Sequence, residues 1–210
     1  MSKGDMKCFA GIDWGGEKHA SDKTYRNLLR LLKKLKDYEV HSRHSAEYAR
    51  MICMKMGVGG DEREAIEFAA LFHELGKLEK ASGRTILDIV NEPKKLGKKE
   101  LALVKLHSVT GALVVLKESR EYPWCKVADL ILFHHEHFDG TGYPFGLGGN
   151  RIPLGARIIS VAESFDAMLH PRPYRRAFSK KEAIARLKRE AGKTFDKRVV
   201  KAFLEVIGSK

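Results

Sequence analysis

The 210-residue chain contains no glutamine, three asparagines and only three cysteines, Cys8, Cys53 and Cys125. An odd, widely separated set of thiols without zinc-finger spacing argues against a disulfide framework and fits a reducing compartment. The shortage of side-chain amides beside abundant Lys and Glu is a composition that heat-adapted proteins favour. Long apolar runs are also missing. The stretches at 113–116 and 130–133 are typical, far below the roughly 18 residues of a membrane span. The opening MSKGDMK has no apolar core, so no secretory signal is expected and the expected location is the cytoplasm. Alternating apolar and polar runs are lacking too, as are internal repeats, which leaves no basis for a sandwich or a solenoid.

What is present is a chain that is 43 % hydrophobic, enough to bury a full core. Helical periodicity dominates. Tyr25, Leu28, Leu29, Leu32 and Leu35 make one apolar stripe, with Ser21 or Asp22 as its cap. A second helix runs through Tyr48, Met51, Ile52 and Met56 to Gly57. The Asp61/Glu64 spacing predicts a capping box opening a helix over 65–75 that Gly76 closes. Further helices are expected over 98–117, over 124–134, after Pro153, from the Ser179/Glu182 box to Gly192, and from Asp196 through Leu204. The reading is all-α, a single helical domain over 21–210 preceded by an irregular arm over 1–20. A glycine-rich loop, DGTGYPFGLGGNR at 139–151, interrupts it, and its backbone can approach a ligand closely.

Lys and Arg number 39 against 27 Asp and Glu, a formal net charge of +12 with histidine neutral. The excess is concentrated at 171–210, which holds 13 basic and 4 acidic residues. Such an end suits a phosphorylated ligand, an acidic surface or nucleic acid. It lacks the interleaved aromatics of a strand-binding groove, so nucleic acid is not the expected partner.

Ionisable residues recur where helices should be apolar. Asp37 and His41 stand one turn apart; His73 and Glu74 end an apolar helix; His107 lies among aliphatics. His134 and His135 follow an apolar run, and Glu163 interrupts another. Each alone has an ordinary reading as a hydrogen-bonded core residue. Burying five imidazoles and three carboxylates together is costly unless a cation joins them. Eight donors exceed one tetrahedral ion and fit two or three divalent metals with bridging carboxylates, an arrangement suited to phosphate ester hydrolysis.

From about residue 37 to 207 the chain resembles the HD-GYP domains, the phosphodiesterase branch of the HD superfamily. The matching segments are HSRHSAEYA (41–49), HELGK (73–77), LVKLH (103–107), HHEHFDGTGYPFGL (134–147), IPLGARIISVAESFDAM (152–168), RPYR (172–175) and AGKTFDKRVVKAF (191–203). The resemblance implies a helical bundle with a metal centre in its core. It implies metal binding by His41, His73, Glu74, His107, His134, His135 and Glu163, with Asp37 standing where three-metal members carry a carboxylate. Glu74, in the place of the Asp of the HD pair, and Lys77 are then the catalytic residues. Lys77, Tyr143, Arg172 and Arg175 are the residues expected to bind substrate. Two positions depart from the pattern: Glu74 and Glu163 both replace Asp and add a methylene, about 1.5 Å of reach.

The activity so implied is hydrolysis of cyclic di-GMP to linear pGpG and/or GMP by a metal-bridging hydroxide. Two or three divalent ions, iron or manganese, are the expected cofactors. The partners are a cyclic dinucleotide and signalling proteins. Two other readings stay open: a domain that binds cyclic di-GMP or a protein without cutting, and a phosphohydrolase of another nucleotide.

Overall fold

The computed structural model describes residues 22–171 and 176–208. The expected arm over 1–20 lies outside them, and so do Arg172 and Arg175. The helices are α1 (Lys23–Leu32), α2 (Asp37–Met56), α3 (Gly60–Phe72), α4 (Ile86–Val90), α5 (Lys98–Lys105), α6 (His107–Glu118), α7 (Trp124–Phe133), α8 (Leu154–Leu169), α9 (Lys180–Glu190) and α10 (Lys197–Gly208). None is long and apolar enough to cross a membrane. The expected all-α class holds. One feature departs from it among the described residues, a hairpin pairing β1 (Lys80–Ala81) with β2 (Arg84–Thr85). Ser82 and Gly83 turn it with φ of 53° and 83°, the sign a tight hairpin requires.

Local signals set most boundaries. The Asp22 carboxylate accepts from the Thr24 and Tyr25 amides at 2.7 and 3.2 Å and starts α1. Tyr25, Leu28, Leu32 and Leu35 are then buried as one stripe. Gly57 ends α2 with φ 72°. The Ser179/Glu182 box forms as the spacing predicts. The Asp61/Glu64 box does not: α3 starts at Gly60, and Asp61 with Glu62 lies in its first turn, where acidic groups face the positive end of the helix dipole. The expected helix over 98–117 is broken at Leu106, whose amide reaches back only to Leu103.

Helix α2 is the spine. It packs on α3, α8 and α10, while α6 packs on α7 and on the 3₁₀ turn Leu75–Leu78. Two aromatic groups fill the core. Phe68 stacks on Trp124 at 5.3 Å and meets Tyr25, and Phe165 meets Phe203 edge-on at 4.9 Å. Gly76 is where two backbones touch. A Cβ there would collide with the His107 carbonyl oxygen and the Gly111 nitrogen, and the Thr110 hydroxyl donates to the Gly76 carbonyl at 3.1 Å. That contact fixes the segment 73–77 against the start of α6, and the ionisable groups meet along this seam.

Candidate metal centre

Three histidines occupy helix ends in the same way. His73 follows α3, His107 opens α6 and His134 follows α7. Each ring's Nδ1–H donates to the carbonyl three residues back: Ala70 at 2.8 Å, Val104 at 2.7 Å and Ile131 at 2.6 Å. The bond satisfies a carbonyl that the terminating helix leaves without a partner. It also fixes the tautomer, so Nε2 presents a lone pair inward. His41, from α2, is held differently, with Nδ1 on the Asp166 carboxylate at 2.7 Å.

Two groups of donors result. In one, His107, His134 and His135 bring ring nitrogens within 4.8 Å of one another; in the other, His41, His73 and Glu163 do the same. Glu74 lies between them. Its Oε1 is 3.9 Å from the Nε2 atoms of both His41 and His73, and its Oε2 is 3.8 Å from Nε2 of His107. Those separations are too long for hydrogen bonds. Lys77 is buried beside them, its ammonium 2.6 Å from Glu74 Oε1 and 3.8 Å from the centre of the Tyr38 ring. Asp37 opens α2 one turn before His41; the placement of its side chain is not among the described features.

The donor set fits divalent metal ions. Nε2 of His41, His73 and His134 and Oε2 of Glu74 are buried without a hydrogen-bond partner. Orphaned lone pairs aimed at one another are unfavourable until a cation lies among them. Imidazole and carboxylate donors without thiolate suit borderline and hard divalent ions. The electrostatics agree. Burial pushes His73 and His134 down to about 3 and His107 to about 4, so the rings are neutral. Burial raises Glu74, but the adjacent Lys77 ammonium prevails and holds the carboxyl well below its ordinary value. Burial pushes Glu163 up to about 7.

These shifts make the metal-free protein sensitive to acid. An unfolded chain takes up protons on these histidines near pH 6.5, whereas the folded chain resists until about 3 to 4, so their contribution is present above 6.5 and lost as pH falls through that window. Glu163 acts oppositely, its contribution present below 4.5 and lost as pH rises through about 7, but one carboxyl stands against several rings. Urea unfolding of chelator-treated protein should therefore lose a few kcal/mol between pH 7 and 5. A flat profile would mean that the rings are not buried neutral.

The glycine-rich loop folds back on this centre. A Cβ at Gly142 would collide with the backbone of 135–137, and the Tyr143 amide donates to the His135 carbonyl at 3.1 Å. Tyr143 stacks on the His135 ring, centroids 4.8 Å apart. Two residues here escape the sequence reading. The buried Glu136 carboxylate accepts the Phe145 and Leu147 amides at 2.7 and 2.9 Å, which pins the loop. Asp166, 1 % exposed, accepts from His44 at 2.9 Å as well as from His41, and lies 3.3 Å from His170. The one available signal for Asp166 was a carboxylate three residues beyond Glu163 on an otherwise apolar helix.

Residues 24–199 match the HD domain family model. The chain is 39 % identical over 158 residues to the cyclic di-GMP phosphodiesterase response regulator RpfG of Xanthomonas campestris, covering 74 % of this chain and 40 % of that protein. It is 33 % identical over 184 residues to a cyclic di-GMP phosphodiesterase of Thermotoga maritima, covering 85 % and 48 %. The chain thus spans less than half the length of either relative. Among solved structures, a cyclic GMP-AMP specific phosphodiesterase of Vibrio cholerae superposes with TM-score 0.63 at 21 % identity, over 80 % of this chain and 44 % of that one. The protein Bd1817 of Bdellovibrio bacteriovorus gives 0.63 at 19 %, over 81 % and 52 %. These two likenesses concern the fold. With the matched family model and the segments HELGK and DGTGYP around the centre, the chain belongs to the HD-domain family and carries the signature of its HD-GYP branch.

Proposed function

We propose that the protein is a metal-dependent phosphodiesterase of cyclic di-GMP, giving linear pGpG and, after a second cut, GMP. The observation that carries this reading is Glu74, whose two oxygens face separate groups of inward-directed imidazoles. On this reading His41, His73 and Glu163 would hold one divalent ion and His107, His134 and His135 a second, with the Glu74 carboxylate available to both. Asp37 is positioned by sequence to add a carboxylate for a third. Iron or manganese suits the nitrogen and oxygen donors. The bound ions would supply positive charge at the scissile phosphate and make water nucleophilic near neutral pH.

The chain's own groups do the rest. Lys77 adds a fixed charge that, in the absence of ligand, neutralises Glu74 and, with a phosphate present, can turn toward it. Tyr143 closes the centre on the His135 side and offers a ring to the nucleotide. Arg172 and Arg175, beyond the described residues, belong to this reading by their place in RPYR: their guanidinium forks suit phosphate oxygens and guanine edges.

Protein purified without chelator should carry about two or three metal ions per chain. It should hydrolyse cyclic di-GMP when supplied with manganese or reduced iron, and chelation should abolish turnover. Full metal content with cyclic di-GMP bound but uncut would replace the enzyme with a binding module. Absence of both metal and nucleotide binding would end the reading.

A further inference from the structure

Two cavities border residues of the centre. One, of about 430 Å³, is lined by Glu163, His137, Phe178, Phe195, Arg186 and Glu190. The other, of about 390 Å³, is lined by Tyr143, Lys98 and Lys105 with the aliphatic wall of Leu101, Ala102 and Val104. Both lie within the roughly 300–1,000 Å³ common for small-ligand sites. The first touches the centre through Glu163, and the second through Tyr143 and its stack on His135.

Their chemistry differs. The first cavity offers a donor and an acceptor together. Arg186 and Glu190 are four residues apart on α9 and share one face. The Arg186 guanidinium is exposed, makes no hydrogen bond or ion pair among the described residues, and lies 6.0 Å from the Phe178 ring. The Glu190 carboxylate is steadied by Arg189 Nε at 3.1 Å and by the Thr194 hydroxyl at 3.4 Å. The Arg189 bond first, with Lys193 and Arg186 nearby, holds its carboxyl below the ordinary value, so near neutral pH it only accepts. The second cavity has two ammonium donors, an aromatic ring and no carboxylate.

We propose that the cavity beside α9 reads a guanine base, Glu190 accepting from its N1–H and N2–H₂ groups and Arg186 donating to O6, while the cavity beside Tyr143 takes either purine. This rests on the phosphodiesterase reading and sets one guanine as the requirement its cyclic dinucleotide must meet. Adenine turns an N1 acceptor toward the carboxylate and an N6 amino group toward the guanidinium, so both charged groups lose their partners. Sites built to hydrogen-bond one edge reject its mismatch strongly. Cyclic di-GMP and 3′3′-cGAMP are then accepted and cyclic di-AMP is refused. The mixed substrate has one orientation only, which presents the same one of its two phosphodiesters to the centre. Hydrolysis breaks that P–O3′ bond, the water oxygen joining phosphorus and its proton leaving with the 3′ oxygen, so a single linear isomer results.

The test compares cyclic di-GMP, 3′3′-cGAMP and cyclic di-AMP on the metal-loaded chain by equilibrium binding and initial rate, resolving pApG from pGpA. The first two should bind and be cut, cyclic di-AMP should bind and react at least about 100-fold worse, and 3′3′-cGAMP should give one isomer. Glu190→Gln and Arg186→Met should each shrink the preference for cyclic di-GMP over cyclic di-AMP about tenfold or more. They should release both isomers from 3′3′-cGAMP, with metal content and melting temperature unchanged. Equal handling of cyclic di-GMP and cyclic di-AMP, both isomers from the unaltered protein, or a preference unmoved in both variants overturns the inference and leaves the phosphodiesterase reading standing. Failure of all three dinucleotides to bind overturns both.

Discussion

Glu74→Ala should take metal content from about two ions per chain to below one and lower turnover of cyclic di-GMP at least about a thousandfold. The carboxylate faces both sets of imidazoles, at 3.8 to 3.9 Å from His41, His73 and His107. Its loss also leaves the buried Lys77 ammonium without its 2.6 Å partner. A buried charge stripped of its partner costs about 3–5 kcal/mol, so a fall in melting temperature accompanies the loss of metal. Glu74→Gln separates the two effects: it keeps the volume and an oxygen for Lys77 but not the charge, so metal is lost with a smaller change in stability. Glu74→Asp keeps the charge and shortens the arm by about 1.5 Å. Metal sites tolerate about 0.2 Å of error in ligand distance, and the shorter arm draws the carboxylate back from the three imidazoles it faces. A loss of about 10–100-fold is therefore expected, and a gain would mean that the glutamate detunes the centre. Metal analysis of the three variants purified without chelator, alongside their initial rates, reads all three.

Much of this architecture is local and so was legible in the sequence. The stripe from Tyr25 to Leu35, the Ser179/Glu182 box and Gly57 act within a few residues, and each forms. The ionisable residues stood out for the same reason, as polar groups where the helical period requires apolar ones. The structure brings His41, His73, Glu74, His107, His134, His135 and Glu163 to one seam. What was not legible is what comes from elsewhere in the chain. The break at Leu106 serves the approach of Gly76 to the α6 backbone, and no feature of 98–117 announces it. Glu136 reads as one more charge in HHEHFD until the loop returns to place two amides on it. The Asp61/Glu64 box failed because preceding glycines let the helix begin earlier. Asp166 meets its imidazole partner across 125 residues, a separation at which periodicity carries no signal.

Asp166→Asn should weaken metal binding at the His41 side of the centre while leaving the His107 side occupied. Burial opposes the charge on Asp166, yet hydrogen bonds with His170, His41 and His44 prevail and hold its carboxyl well below the ordinary value. An ionised carboxylate accepts at both oxygens, and here one oxygen serves His41 at 2.7 Å and the other His44 at 2.9 Å. An amide accepts at one side only and donates at the other, so one of these rings must turn its proton away. If that ring is His41, the proton moves to Nε2 and occupies the lone pair that faces the metal; if it is His44, the packing behind His41 loosens. Either way the affinity of one ion should fall about 10–100-fold, the usual effect of removing the group that orients a ligand histidine. Asp166→Ala removes the acceptor altogether and strands buried N–H groups at about 1–3 kcal/mol each. For a chain of this size that amounts to a melting temperature lower by roughly 5–15 °C. Titration with manganese distinguishes a positioning role from a merely structural one. The first expects one tight and one weakened site in the folded Asn variant; two unaltered sites in a less stable protein would assign Asp166 to packing alone.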